Sequence, residues 1–145
     1  MFRRILVATG GSPWSRNAVD TAIRLVSACH AELVVAHILE DDPQYQPQDL
    51  DVSDPQLREE MEETGRQILQ QATQRATEKQ APVRIVMQWG AIPEQIVRAA
   101  IDSQCDLIVM GTRHLTGEKR LMTGRICNAV IATAPCPVLV VPLVQ

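Results

Sequence analysis

Two glycine-containing loops hold the residues of this chain that could bind a phosphate. The first, Ala8-Thr9-Gly10-Gly11-Ser12-Pro13, follows an apolar run and precedes a segment with helical spacing. Free N–H groups and the positive dipole end of a helix that begins there would favour an anion. A strand-to-helix turn also needs glycine for its backbone geometry. This loop alone is therefore compatible with a ligand site and with a purely structural turn.

The second loop runs from Met110 to Arg125 and is locally basic. It holds Gly111 and Gly124, together with five Arg, Lys or His side chains. Close backbone approach at glycine and surrounding cations are typical of a polyphosphate pocket. A Walker loop has four residues between its two glycines, followed by Lys and Ser or Thr. Here five residues separate Gly111 and Gly117 and no Lys-Ser/Thr pair follows, so the loop is not a Walker loop. A solvated basic loop remains the alternative.

No other residues have the spacing of a catalytic or metal centre. The four cysteines form no Cys-x-x-Cys pair, which predicts free thiols rather than disulfides or zinc ligands. They are Cys29, Cys105, Cys127 and Cys136. His30 and His37 have no carboxylate or cysteine at metal spacing, so both are predicted to be structural. We therefore predict no catalytic residue and no metal ligand.

Five short apolar runs alternate with segments of helical spacing, which predicts a parallel sheet with crossover helices. The runs cover residues 5–8, 33–38, 83–87, 107–110 and 138–141. Because most of them are continuously apolar, we expect strands that are buried on both faces. Right-handed crossovers then favour a three-layer α/β fold with an open five-stranded parallel sheet of the flavodoxin or Rossmann type. Its ligand crevice would lie at the carboxyl ends of the strands.

Four helices are predicted between these runs. Ser12 as N-cap and Pro13 at N1 would begin the first helix, and the second would cover about 55–79. The third would begin near Ile92-Pro93-Glu94, and the fourth near Thr123-Gly124. The residues expected to face the sheet are, helix by helix, Ala18, Ala22, Val26 and Cys29; Leu57, Met61, Thr64, Ile68, Ala72 and Ala76; Ile96, Ala100 and Ile101; and Ile126, Ala129, Val130 and Thr133.

Length and composition exclude several classes of protein. A chain of 145 residues, 46% of them hydrophobic and 21% charged, fits one globular domain over 1–145. The net charge of −3 and the aromatic content of 3% argue against nucleic acid as a partner. No segment reaches the ~18–20 apolar residues that a membrane span needs. The apolar run near the N-terminus is broken at Thr9, which makes it too short for the apolar segment of a signal peptide. We therefore expect a cytoplasmic protein.

Residues 40–63 are acidic, with ten acidic residues against one basic residue. The first part, near 40–54, is predicted to be an acidic loop inserted into the domain. We interpret it as a solvated insertion, with a lid or a partner-docking segment as the alternative. The acids that follow it are predicted to form a solvated helix face: Glu59, Glu60, Glu62 and Glu63.

Several segments together resemble the universal stress protein family over essentially the whole chain. They are the first apolar run with Thr9, Gly11-Ser12-Pro13, His37, Gly90-x-x-Pro93, and residues 106–112 and 134–142. The resemblance implies a strand order of 3-2-1-4-5 and a regulatory role in stress survival. It also implies a homodimer joined through the last strand, at Val138, Leu139, Val140 and Val141. Some members of the family bind ATP or AMP.

The nucleotide-binding branch of the family resembles Gly-x-x-Gly-x9-Gly-Ser/Thr after the fourth strand, with an aspartate after the first strand. This chain keeps Gly111 and Gly124 at that spacing but has His114, Arg125 and Gly10 at the other three positions. Gly10 cannot accept a hydrogen bond through a side chain, His114 adds bulk, and Arg125 lacks a short hydroxyl. Arg113, Lys119 and Arg125 could instead bind phosphate through charge-assisted bonds. An altered pocket and a lost pocket both remain open.

If a nucleotide binds, the resemblance implies two groups of contacts. Thr9, Gly10, Ile38 and Met110 would surround the base and ribose, and Gly111, Arg113, Gly124, Arg125, Ile126 and Cys127 would line the phosphates. The ligand would be ATP or AMP, with Mg²⁺ accompanying ATP.

We therefore expect a non-catalytic cytoplasmic universal stress protein that acts by binding a protein partner or by sensing an adenine nucleotide. The alternative is a slow ATP hydrolase or an autophosphorylating enzyme, which would need a base or nucleophile and a metal ligand beside the γ-phosphate. Gly10 in the place of aspartate argues against that alternative. An ATP pyrophosphatase or sulfur-transfer enzyme of a related fold would carry Ser-Gly-Gly-x-Asp-Ser in the first loop. Only the glycine pair of that motif is present.

Overall fold

The computed structural model describes residues 1–42, 50–113 and 124–143. Within these residues the elements are β1 (Arg4–Ala8), α1 (Pro13–Cys29), β2 (Glu32–Glu40), α2 (Pro55–Glu78), β3 (Val83–Gly90), α3 (Ile92–Asp102), β4 (Leu107–Arg113), α4 (Arg125–Thr133) and β5 (Val138–Leu143). All adjacent strands pair in parallel, in the order β3-β2-β1-β4-β5. The predicted fold class and strand order are confirmed.

The central strand β1 separates the two halves of the sheet. It pairs with β2 on one side and with β4 on the other. Its side chains alternate between two apolar clusters: Ile5 and Val7 pack with α1 and α2, whereas Leu6 packs with α3 and α4. The chain therefore changes face between β3 and β4, which creates a crevice at the carboxyl ends of β1 and β4.

The start of α1 is as predicted. Ser12 is extended at φ −69°, Pro13 occupies the first helical position, and the Ser15 N–H donates to Ser12 Oγ at 3.2 Å. His30 ends the helix in the left-handed conformation, at φ 54°. The N-cap follows from the residue types of Ser12 and Pro13, whereas a histidine in the left-handed position at the end of the helix was not predicted, because glycine is the usual residue there.

The buried face of α2 differs from the predicted stripe at one turn. Thr64 is exposed, and Gly65 and Leu69 are buried instead. The reason is a close approach of the helix to the sheet. A methyl group at Gly65 would lie 2.8 Å from His37 Cδ2 and 2.9 Å from Met87 Sδ.

Two further positions in the predicted stripes are wrong. Ile101 is 51% exposed on α3, where Ala99 is buried in its place. Thr133 is exposed at the end of α4, and its hydroxyl donates to the Ala129 carbonyl at 3.0 Å. Helical spacing leaves two neighbouring faces compatible with the same apolar residues, and packing on the sheet selects one.

The expectation of burial on both faces holds for the inner strands only. At the two ends of the sheet, Ile85 of β3 is 56% exposed and Leu139 of β5 is 38% exposed. An end strand has one neighbour, so the flanking helices cover it incompletely.

Glu40 does not belong to an acidic loop, because β2 extends to this residue and buries it. Its Oε1 accepts from the Ile92 N–H at 3.0 Å, and its Oε2 accepts from the Asp42 N–H at 3.0 Å. No side chain at the N-cap Ala91 bonds to the helix, so Glu40 supplies the cap of α3 from a neighbouring strand. Residues 43–49 of the predicted insertion lie outside the described residues.

The predicted solvated face of α2 contains one exception. Glu62 is partly buried and accepts from the Trp89 Nε1–H at 3.0 Å, while the Arg58 guanidinium lies 3.8 Å from the centre of the same ring. The four cysteines are free thiols, as predicted. In the described parts of the chain, no helix combines the length and apolarity needed to cross a membrane.

Candidate functional site

The candidate site lies where the loop after β1 and the start of α4 meet the carboxyl edge of the sheet. β1 and β4 are neighbours, and each is followed by a helix whose N-terminus points back to that edge. Helix N-termini carry free N–H groups and a positive dipole end. The arrangement therefore suits an anionic ligand.

Thr9 fixes the first loop through four hydrogen bonds. Its N–H donates to the Ala36 carbonyl at 2.9 Å, and its hydroxyl donates to Ser15 Oγ at 3.2 Å. The Gly11 N–H donates to Thr9 Oγ1 at 3.3 Å. His37 Nδ1 lies 2.8 Å from the Thr9 carbonyl oxygen. Thr9 is only 6% exposed, so the side chain organises the loop from within.

Gly10 is the open position of this loop. A methyl group placed there would meet no atom within 4 Å, and the residue is exposed. The neighbouring Gly11 has a φ of +84°, which favours glycine, whereas Gly10 does not adopt a positive φ. Neither space nor backbone conformation therefore requires glycine at position 10.

An apolar floor joins four of the predicted contact residues in one cluster. Ile38, Met110 and Cys127 are buried in it, and Ile126 is partly buried against it. Cys127 Sγ lies 3.8 Å from the Gly111 carbonyl oxygen, within reach of a weak thiol donor. Burial raises the pKa of the Cys127 thiol, so this side chain stays neutral and contributes no charge to the site.

Gly111 serves the packing of α1. A methyl group there would lie 2.6 Å from the Trp14 carbonyl carbon and 3.0 Å from the Ser15 nitrogen. Gly111 therefore allows the backbone of α1, and not a phosphate, to approach β4 closely. Beyond it, the Arg113 guanidinium lies 4.9 Å from the centre of the Trp14 ring, in cation–π contact.

The start of α4 provides the cationic side of the site. Gly124 is the N-cap, is exposed, and has open space beside it. Arg125 is the first helical residue and is also exposed. Neither α1 nor α4 has an acidic residue in its first turn, so the first turns of these two helices carry no carboxylate that would compete with a bound anion.

The predicted site residues thus fall into three groups. The structure gathers Ile38, Met110, Ile126 and Cys127 in one apolar cluster, and it leaves Gly10, Arg113, Gly124 and Arg125 exposed. The Thr9 hydroxyl bonds within the protein, and the backbone of α1 occupies the space beside Gly111. His114 and Lys119 lie outside the described residues.

Two residues that organise the first loop were not predicted to do so. Ser15 is buried and bonds to both Ser12 and Thr9. The sequence did offer a signal for Ser15, because a side chain three residues after an N-cap lies within reach of the capping residue. His37 was assigned a structural role, but its bond to Thr9 has no signal in the sequence.

No group of three or more His, Cys, Asp and Glu side chains is arranged to hold a metal ion in residues 1–42, 50–113 and 124–143. At this edge of the sheet the described residues thus place a buried apolar cluster, the N–H groups of two helix starts and exposed arginine side chains.

Comparison with known proteins identifies the family. The family model described as the universal stress protein family matches residues 1–142. The chain belongs to the universal stress protein family. One curated relative of this universal stress protein is the universal stress protein YxiE of Bacillus subtilis (strain 168), 30% identical over 150 residues that cover 97% of this chain and 99% of the relative.

Solved structures of universal stress proteins share the fold. A crystal structure of a family member from Burkholderia pseudomallei is 30% identical, with a TM-score of 0.75, and the match covers 97% of this chain and 96% of that one. A universal stress protein in complex with cAMP has a TM-score of 0.69 at 23% identity, covering 97% of each chain. One from Archaeoglobus fulgidus in complex with dAMP has a TM-score of 0.68 at 18% identity, covering 95% of this chain and 96% of that one.

Proposed function

We propose that this universal stress protein is a non-catalytic, cytoplasmic regulatory protein that binds an adenine nucleotide at the crevice between β1 and β4 and signals through a protein partner. The base and ribose would rest on Ile38 and Met110 beside Gly10. The phosphates would meet the start of α4 at Gly124 and Arg125. With ATP, Mg²⁺ would accompany the phosphates.

One observation carries the proposal: an apolar floor and an exposed helix N-terminus meet at the same strand ends. The floor is the cluster of Ile38, Met110, Ile126 and Cys127, and the N-terminus is that of α4. A nucleotide has the matching halves, because its base is flat and weakly polar whereas its phosphates are anionic. The two similar structures in complex with cAMP and dAMP support an adenine nucleotide as the ligand class.

Calorimetric titration with ATP and AMP, with and without Mg²⁺, tests this proposal after bound nucleotide has been removed. Arg125→Glu should abolish the affinity, because it replaces a cation at the phosphates with an anion. Arg24→Glu makes the same charge change about 16 Å along α1 from Pro13 and should leave the affinity unaltered. Undiminished binding by Arg125→Glu would refute the phosphate assignment, and no binding by the unaltered protein would refute the nucleotide site.

The homodimer through the last strand is part of the proposal. β5 is an end strand of the sheet, and Leu139 on it is exposed. Pairing of two β5 strands would bury this side chain and satisfy the outer backbone groups. Light scattering at micromolar concentration should give twice the chain mass, and Leu139→Lys should reduce it. A monomeric mass for the unaltered protein would refute the dimer.

A further inference from the structure

His37 connects the two strand ends that would carry the base of the nucleotide. It precedes Ile38 at the end of β2, and its Nδ1 lies 2.8 Å from the carbonyl oxygen of Thr9 at the end of β1. The two residues are 28 positions apart in the chain. Because a carbonyl oxygen can only accept, Nδ1 carries the hydrogen of this bond.

The ring is held on its other side by α2 and β3. A methyl group at Gly65 would lie 2.8 Å from Cδ2 and 3.2 Å from Nε2 of His37. Met87 pairs with His37 in the sheet register, and its Sδ lies beside the same point of Gly65. His37 is 9% exposed, so it has little freedom to turn away from Thr9.

The position of Gly10 depends on this bond. Thr9 and Gly11 are tied to each other by the Gly11 N–H and Thr9 Oγ1, and Gly10 lies between them. The bond from His37 to the Thr9 carbonyl therefore fixes the peptide that leads directly into Gly10.

We propose that His37 is the positioning residue of the nucleotide site: its Nδ1–H holds the Thr9 carbonyl, which sets the path of the loop through Gly10 relative to Ile38. This inference rests on the proposed function. His37 acts through Thr9 and Gly10, and it does not itself contact the nucleotide.

A pair of amide variants separates this role from a general packing role. Asn places an amide N–H close to the position of Nδ1, whereas Gln extends its amide towards the position of Nε2. His37→Asn should bind AMP with an affinity within about threefold of the unaltered protein. His37→Gln should bind about tenfold more weakly, since losing one neutral hydrogen bond of roughly 1.4 kcal/mol corresponds to that factor.

Asp106→Ala is the control for loss of stability. Asp106 lies at the opposite end of the sheet and accepts from the N–H groups of Arg3 and Arg4. This variant should be less stable but should keep its AMP affinity at a temperature where it is folded. An unchanged affinity in His37→Gln, or equal losses in the two amide variants, would overturn the inference. So would an equal loss in Asp106→Ala.

A second readout separates this inference from the proposed function. Both variants lose the magnetic effect of the imidazole ring, but only His37→Gln loses the hydrogen bond, so the backbone amide NMR signals of Gly10 and Gly11 should move less in His37→Asn than in His37→Gln, with no nucleotide present. If the unaltered protein binds no nucleotide, the proposed function fails and these signals still decide whether His37 holds the loop. If His37→Gln does not fold, Gly65→Ala displaces the ring without removing it, and the same signals should move. Unmoved signals would overturn the inference.

Discussion

Gly65 occupies an interior position of α2 where alanine would ordinarily be the better residue. Replacing glycine by alanine inside a helix stabilises it by about 1 kcal/mol. At this position the added methyl group would lie 2.8 Å from His37 Cδ2 and 2.9 Å from Met87 Sδ, whereas unstrained carbon contacts are about 3.5–4.0 Å. The thioether of Met87 can rotate away. The His37 ring is held by its bond to Thr9, so the overlap with the ring decides the outcome.

We expect Gly65→Ala to destabilise the protein by about 1 kcal/mol. Overpacking a filled core costs about 1–3 kcal/mol, from which the helix gain of about 1 kcal/mol is subtracted. In a His37→Ala background the ring is absent, so the same substitution should stabilise by about 1 kcal/mol. The two substitutions should therefore be coupled by about 2 kcal/mol.

Urea unfolding of the unaltered protein, the two single variants and the double variant measures this coupling. All four should be compared at one protein concentration, because dimerisation would make stability depend on concentration. Gln70 is exposed on the same helix, so the difference between Gln70→Ala and Gln70→Gly supplies the local helix term. Additive effects, with Gly65→Ala stabilising in both backgrounds, would refute the assignment of Gly65 to the space beside His37.

Three further predictions follow from other contacts. Glu40→Ala should lower the free energy of unfolding by about 1–3 kcal/mol, because it leaves the Ile92 N–H at the start of α3 without its partner. Glu40→Gln should lower it less, since one carbonyl acceptor remains. Urea unfolding measures both variants, and equal stabilities of Glu40→Ala and the unaltered protein would contradict this cap. Burial raises the pKa of Cys105 from 9.0 to about 11, so the folded state holds its proton more tightly than the unfolded state. The unfolding free energy should therefore fall as the pH rises from about 9 to about 11, and that component should be missing in Cys105→Ala; identical pH profiles of the two proteins would contradict it. Gly10→Asp should strengthen AMP binding by about tenfold, because open space surrounds Gly10 and a carboxylate could accept from polar groups of the nucleoside. Gly10→Ala is the matched control, and equal affinities of the two variants would show that the carboxylate makes no such contact.

The local chemistry of the sequence was sufficient to predict the helices and strands, and it suggested which loops could form a site. Apolar runs of strand length alternating with helical segments predict a parallel sheet, because each strand must be covered on both faces. Ser12 and Pro13 predict the start of α1, since a helix start needs a side-chain acceptor and tolerates proline. The candidate site at the carboxyl ends of β1 and β4 follows from the same reasoning.

Finer features of the fold were beyond local patterns. The buried face of α3 includes Ala99 and leaves Ile101 exposed, although isoleucine is the more apolar residue. A helical stripe constrains the rotation of a helix only to within about one residue, or about 100°. The sheet surface then selects the rotation that packs best. The same limit explains why Gly65, and not Thr64, faces the sheet.

The sequence by itself determined the elements, their class of fold and the two loops of the candidate site, because those depend on residues close together in the chain. Only the tertiary structure decided what Gly111, Glu40 and His37 do. Gly111 admits the backbone of α1, Glu40 caps a helix that begins 52 residues later, and His37 holds a carbonyl 28 residues earlier. Such contacts depend on which strand ends lie side by side after folding, and each partner residue by itself is an ordinary glycine, glutamate or histidine.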